Sequence, residues 1–345
     1  MNNANRKRNR KNSMYKKYIA KKWAAVIILA VILFGVGLDA LSIGSANLPL
    51  AETLRALFGG GEASSRVIVW NVRMPRIATA IGVGIALAMA GCVMQNVLRN
   101  PLASASTLGI SQGATFGAAI AIVYFESGVY TVTTFAFLGG ICTTILILLL
   151  SRVGGASPTS MILAGVALSA MFTGATTLVQ YFSDDDRLGS IVYWTFGNLG
   201  RTGWREISLI FILCAAAFLY FMFNRWNYNA MESGTNTAKS LGVSADTLTL
   251  VSMVVCTLVS AAAIAFVGTI NFIGLIAPHI VRRFVGNDYR FLIPASAFMG
   301  AVIMLAADIA SRTMASPAIL PIGALTSFFG APLFLYMIIR QGKSK

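Results

Sequence analysis

Residues Ile77 to Leu98 read IATAIGVGIALAMAGCVMQNVL, a run without a single charge that breaks immediately afterwards at RNPLA, Arg99 to Ala103. Crossing a hydrocarbon core as helix takes about 20 mainly apolar residues, which this run supplies. A strand of a membrane barrel would alternate over about ten residues, and this stretch is continuously apolar. It therefore reads as a membrane-spanning helix. Its many Gly and Ala residues suit close approach to neighbouring helices.

Similar runs lie on both sides of it. They occur at Trp23 to Ile43, Leu102 to Tyr124, Tyr130 to Leu150, Pro158 to Phe182, Ile207 to Phe223, Thr247 to Val267, Thr269 to Val285, Phe291 to Ser311 and Ile319 to Ile339. With the first stretch they make ten, so the expected fold is all-α, a polytopic bundle of ten transmembrane helices. Composition agrees, because the 345 residues are 57% hydrophobic and 11% charged, against roughly 25% charged for a soluble domain. The apolar run from Trp23 exceeds the usual h-region of a signal peptide and reads as a span, although small residues around Ala40 to Ala46 leave cleavage open. Leu188 to Gly200, LGSIVYWTFGNLG, is too short to span, and its aromatics suit an interface.

The net charge of +15 would suggest nucleic acid in a soluble chain, but its location points to a membrane instead. With the N-terminus inside and alternating spans, nineteen of the 27 basic residues fall on the inner side. Residues 1–22 then form a basic cytoplasmic tail, residues 23–345 form one membrane domain, and both termini are cytoplasmic. Spans two to five and seven to ten make two groups of four. An offset of five spans reverses direction, as in inverted-repeat transporters. A proline lies near the inner end of each group, Pro101 and Pro278.

No residue set supports catalysis or a metal centre. A nucleotide site needs a glycine-rich loop followed by lysine, and the nearest match, GTNTAKS at Gly234 to Ser240, has Ala238 and Ser233 at the glycine positions. Cys92, Cys142, Cys214 and Cys256 stand singly in apolar runs and read as small buried hydrophobes. His279 is the lone histidine, so a zinc site lacks partners. Asp308 sits well inside a span, where pairing with Arg312 one turn on accounts for it better than a proton relay does. The longest polar connection is 224–246, in which a short helix is expected through Thr235 to Leu241, ending at Gly242.

Four blocks are more specific. RMPR at Arg73 to Arg76, Gly84 to Ala114 with its QNVLRNPLA and TLGISQGA, GTINFIGLIAPHIVRR at Gly268 to Arg283, and LPIGALTSFFGAPLF at Leu320 to Phe334 together resemble the FecCD family of ABC-transporter permeases. The resemblance implies the type II ABC importer fold and import of an iron chelate, iron-siderophore first and haem next, with cobalamin as an alternative. A secondary transporter working alone is the more remote reading.

It also implies a homodimer with a second permease copy, two cytoplasmic ATPase subunits that carry ATP and magnesium, and an extracytoplasmic substrate-binding protein. This chain itself would bind no cofactor and no metal, and would have no catalytic residue. By the same resemblance, Gly234, Ala238, Lys239, Leu241 and Gly242 belong to the ATPase-coupling loop. Thr235 stands where the family usually has an acid. Arg73, Arg76 and Arg312 match positions that dock the binding protein, guanidinium forks being suited to carboxylates. Gln95 and Asn96 are translocation-path candidates, and the walls of the path would come from the second, fifth and tenth spans.

Overall fold

The computed structural model describes residues 2–43, 48–125, 128–155, 157–316 and 318–342, and among them it is helical with no strand. The helices are α1 (Asn2–Ser42), α2 (Leu50–Leu57), α3 (Ala63–Ile68), α4 (Met74–Val97), α5 (Ile110–Tyr124), α6 (Val129–Val153), α7 (Pro158–Tyr181) and α8 (Asp185–Thr195). They continue as α9 (Trp204–Phe223), α10 (Arg225–Glu232), α11 (Thr235–Ser240), α12 (Ala245–Val267), α13 (Ile273–Val285), α14 (Tyr289–Thr313) and α15 (Ile322–Gly342). Seven are long and apolar enough to cross a membrane, α5 and α15 contribute shorter apolar stretches, and α13 is a 13-residue helix with Arg282 and Arg283 in its last turn. The chain is a multi-pass membrane protein.

Helix α4 is the centre of the bundle, packed against α9, α12, α13 and α14 and buried over most of its length. Small residues make this possible. A Cβ at Gly84 would collide with the backbone at Gly300 and Ala301, and one at Gly91 with the backbone of Gly274, so α14 and α13 meet α4 main chain to main chain. Polar side chains add cross-helix bonds, among them Thr144 Oγ1 to Thr257 Oγ1 at 2.6 Å. The thiols of Cys214 and Cys256 donate weakly to the carbonyls of Gly82 and Ala90, each at 3.5 Å. Cys92 is also buried, but Cys142 is exposed on α6, contrary to its reading as a buried hydrophobe.

Two expected spans start later than hydropathy suggests. Leu102 opens a series of turns, and α5 begins only at Ile110, because Pro101 and the left-handed Gly109 (φ 81°) hold the intervening apolar residues outside the helix. Likewise α13 starts at Ile273, four residues after Thr269, entered through Phe272 at φ 66°. A left-handed conformation is costly for a residue with a Cβ. Phe272 holds it with its Cβ packed where Gly330 of α15 leaves room, while Asn271 Nδ2 donates to Ser327 Oγ at 3.2 Å.

Helices α3 and α4 are continuous through a π turn at Val69–Arg73. The Met74 N–H bonds back to the Val69 carbonyl, and Pro75, which has no N–H, follows in the first turn of α4, where a proline is tolerated. Arg73 at the end of the turn is buried, and the Arg76 side chain just beyond it is only 13% exposed.

Candidate functional site

Arg76 and Asn96 mark the two ends of α4, about 30 Å apart at 1.5 Å per residue. Functional candidates collect at both.

At the Arg76 end, Asp308 of α14 is fully buried and holds two guanidinium groups. Arg76 Nε donates to Asp308 Oδ1 at 2.7 Å, and Arg312 Nη2 lies 2.9 Å from Oδ2. The Asp308 to Arg312 pair is the helix-neighbour pairing expected from the sequence. Arg312 also donates to the carbonyls of Ala40 (3.2 Å) and Ile43, while Arg73 donates to those of Leu41 (2.5 Å) and Ser42 (3.2 Å). The last turn of α1 thus presents its orphan carbonyls, at the negative end of the helix dipole, to two arginines. Arg73 is only 5% exposed, and the side chains of Arg76 and Arg312 only 13% and 9%. All three residues expected to meet a binding protein are engaged inside the chain, and they lock α1, α4 and α14 together.

Beside Arg76 opens a cavity of about 500 Å³, between the end of α8 and the start of α15. Tyr193, Phe196, Arg201 and Ile319 line it. Arg76, a docking candidate from the sequence, lines it too, together with residues of the interfacial aromatic segment Leu188 to Gly200.

At the Asn96 end, Gln95 and Asn96 are both buried. Gln95 Nε2 donates to the Gly274 carbonyl at 3.3 Å, and Asn96 Nδ2 to the Tyr228 carbonyl at 3.1 Å and to Glu232 Oε2 at 3.4 Å. Both amide oxygens are buried without a hydrogen-bond partner among the described residues, and the two residues line a polar cavity of about 280 Å³ together with Arg99, Arg282 and Asn287. Asn287 Nδ2 donates to Glu232 Oε1 at 2.7 Å. The two path candidates therefore sit against the polar loop.

That loop is tightly anchored. Fully buried Tyr228 of α10 bonds Ser252 of α12 at 2.8 Å through its hydroxyl, and Asn229 donates to Asp288 at 3.2 Å while accepting from the Tyr289 N–H at 2.8 Å. Arg290 grips Asp288 at 2.6 Å and lies over the Trp226 ring at 4.6 Å. Burial pushes the Asp288 carboxyl upward, but bonds from Arg290 and Asn229 outweigh that and hold it below its ordinary range.

Beyond this anchor, α11 spans Thr235–Ser240, one residue short of the expected end at Leu241. Gly234 (φ 113°) and Gly242 (φ 84°) bracket it in conformations that favour glycine. The Val243 N–H closes back on the Ala238 carbonyl at 3.0 Å, a helix-ending loop that seals the C-terminus. Ala238 faces inward, fully buried. Leu241 projects outward, 68% exposed, and Lys239 pairs with Asp246 at 2.9 Å on the surface. The five coupling candidates thus form one small knob with an apolar tip.

Comparison with known proteins bears on the family and the fold. The FecCD transport family model matches residues 26–340. A chain of Methanocaldococcus jannaschii named as an ABC transporter permease is 48% identical over 95% of this chain and 98% of its own length. The hemin transport system permease protein HmuU of Yersinia pestis is 35% identical, covering 88% and 93%. A solved structure described as an inward-facing, metal-chelate type ABC transporter superimposes with a TM-score of 0.82 at 31% identity, over 91% of this chain and 98% of that one.

Proposed function

The chain belongs to the FecCD transport family, and on that premise we propose that it is the membrane permease of an ATP-driven importer that moves an iron chelate into the cytoplasm by alternating access. The observation that carries this reading is the α10–α11 knob. A surface helix capped by an exposed leucine, and tied through buried Tyr228 and half-buried Asn229 of α10 to α4, α12 and α14, suits a docking element that transmits force. The chain itself has no phosphate-binding glycine loop, so the energy would come from two partner ATPases carrying ATP and magnesium. Iron-siderophore is the first cargo reading. Haem is second and gains from the likeness to a hemin permease. Neither cobalamin nor a stand-alone transporter is favoured by these relatives.

Further parts of the reading rest on the geometry. Ten spans follow if α5, α13 and α15 cross with their flanking turns. The inverted repeat is supported by matched irregularities, because α5 and α13 are both short and both entered through a left-handed residue, Gly109 and Phe272. Exchanged neighbours support it as well: α4 packs on α12, α13 and α14, and α12 packs on α4, α5 and α6. The loop of 224–246 then faces the cytoplasm with both termini, and Arg76 lies at the opposite, extracytoplasmic end.

A second copy would complete the central path, and an extracytoplasmic binding protein would deliver cargo. Arg73, Arg76 and Arg312 would support its docking surface from beneath, by fixing the ends of α1, α4 and α14. Gln95 and Asn96 would act at the inner end, where the path meets the coupling loop.

Uptake of radiolabelled ferric chelate by cells lacking their own permeases tests the reading. Uptake restored by this chain together with its ATPase, and lost on depleting ATP, is expected. Uptake without any ATPase would overturn it.

A further inference from the structure

We propose that the cavity at the knob end of the bundle, where α4, α6, α7, α10 and α12 meet, holds one acyl chain of a membrane phospholipid whose phosphate group sits on Arg152. The site goes beyond the importer reading and needs only the membrane fold.

The cavity has a volume of about 280 Å³. That lies just under the roughly 300–1,000 Å³ of drug-sized ligand sites, so it has room for part of a chain rather than for a bulky chelate. Its inner wall is apolar, made by Val97 from the end of α4, Leu148 of α6, Met161 of α7, Met231 of α10 and Leu250 of α12. Val97, Met161 and Met231 are buried. Ser151 reaches the cavity too, but its hydroxyl donates to the Leu148 carbonyl at 3.0 Å. An apolar interior favours hydrocarbon over water. Lipid surrounds the place, because the flanking helices α6 and α7 leave Leu149, Val153 and Leu163 well exposed.

Charge at the mouth names the head group. Arg152, Asp246 and Thr247 are the exposed lining residues and so form the mouth. Asp246 is already matched by Lys239 at 2.9 Å, whereas among the described residues no ion pair or hydrogen bond engages the Arg152 side chain. A guanidinium takes two phosphate oxygens as a fork. Arg152 stands in the last turn of α6, the level at which a long basic side chain meets lipid head groups. An arginine that merely anchored the helix there would need no chamber beside it.

The bound chain also props the knob. Thr235 opens α11 and lines the same cavity, as do Ala245, Asp246 and Thr247 in the first turn of α12. Lipid in the cavity therefore links the α6–α7 pair to the segment that carries Lys239 and Leu241.

The test uses the full-length permease, stripped of lipid in a maltoside detergent, with phosphatidylglycerol as the probe and myristate and inorganic phosphate beside it. Native mass spectrometry counts retained lipid, and amide hydrogen exchange follows residues 235–247. The wild type is expected to retain phosphatidylglycerol at this site and to exchange more slowly across 235–247 when it does. Arg152→Gln should weaken retention by about tenfold, and Arg152→Lys should keep most of it. Thr249→Leu and Leu250→Trp fill the chamber while leaving Arg152 in place, so each should abolish retention. Arg283→Gln, an exposed arginine in the last turn of α13, should change nothing. Retention that survives Arg152→Gln or both filling variants overturns the proposal. So does equal protection of 235–247 by inorganic phosphate, or tighter holding of myristate than of phosphatidylglycerol. Lipid held at this site by a permease that shows no ATP-driven uptake would sink the importer reading and leave this one standing.

Discussion

Asp308 Oδ1 accepts a hydrogen bond from Arg76 Nε at 2.7 Å across the α4–α14 contact, while its other oxygen faces Arg312 Nη2 at 2.9 Å. One buried carboxylate joins two helices and, through Arg312, the end of α1.

Removing it leaves two buried guanidinium groups without their countercharge. Asp308→Ala should cost about 3–5 kcal/mol, the range for breaking a buried pair from one side. Thermal unfolding in detergent, followed by size exclusion, measures the loss. Arg187→Gln breaks the half-exposed pair with Asp184 and a bond to the Val123 carbonyl at 2.8 Å, and should cost about 1–2 kcal/mol, still well below Asp308→Ala.

The glycines of α4 set how close its neighbours come. Gly91→Leu drives a side chain into the Gly274 backbone of α13, and overpacking of this kind costs about 1–3 kcal/mol or more. The yield of folded protein from membranes should fall sharply. Gly174→Leu, where a Cβ would meet nothing within 4 Å, should be tolerated.

The knob carries a sharper prediction. Leu241→Asp and Lys239→Glu change exposed side chains, so unfolding temperature should stay nearly unchanged. Uptake should be lost while the permease remains in the membrane. Normal uptake by both variants would remove the loop from the coupling mechanism.

Acid should loosen the anchor of that loop. The Asp288 carboxyl is held below its ordinary value of 3.8, so its contribution to stability is present above that value and is lost as pH falls through the lower folded value. Unfolding temperature against pH should therefore drop more steeply below about 4 in the wild type than in Asp288→Asn.

Much of this was legible in the residues. Continuous apolar runs reveal membrane helices because the bilayer dictates their length, and the short helix before Gly242 follows from turn chemistry. The starts of α5 and α13 were not legible by hydropathy, since Leu102 to Leu108 and Thr269 to Phe272 are apolar enough to belong to a span but are bent out of helix by Pro101, Gly109 and Phe272. The burial of Arg73, Arg76 and Arg312 was hidden for a different reason. Their partners are main-chain carbonyls of Ala40 to Ile43 and a carboxylate over two hundred residues from Arg76, and carbonyls leave no mark in a sequence. The cavity beside Arg201 is likewise made by α8 and α15, segments far apart along the chain.

The importer reading is tested most directly by ATP hydrolysis in liposomes holding the permease and its ATPase, with and without binding protein loaded with ferric siderophore, haem or cobalamin. The account predicts hydrolysis stimulated by the loaded binding protein, with an iron chelate accumulating inside. Chelate uptake driven by a proton gradient alone, with no need for the ATPase, would contradict it.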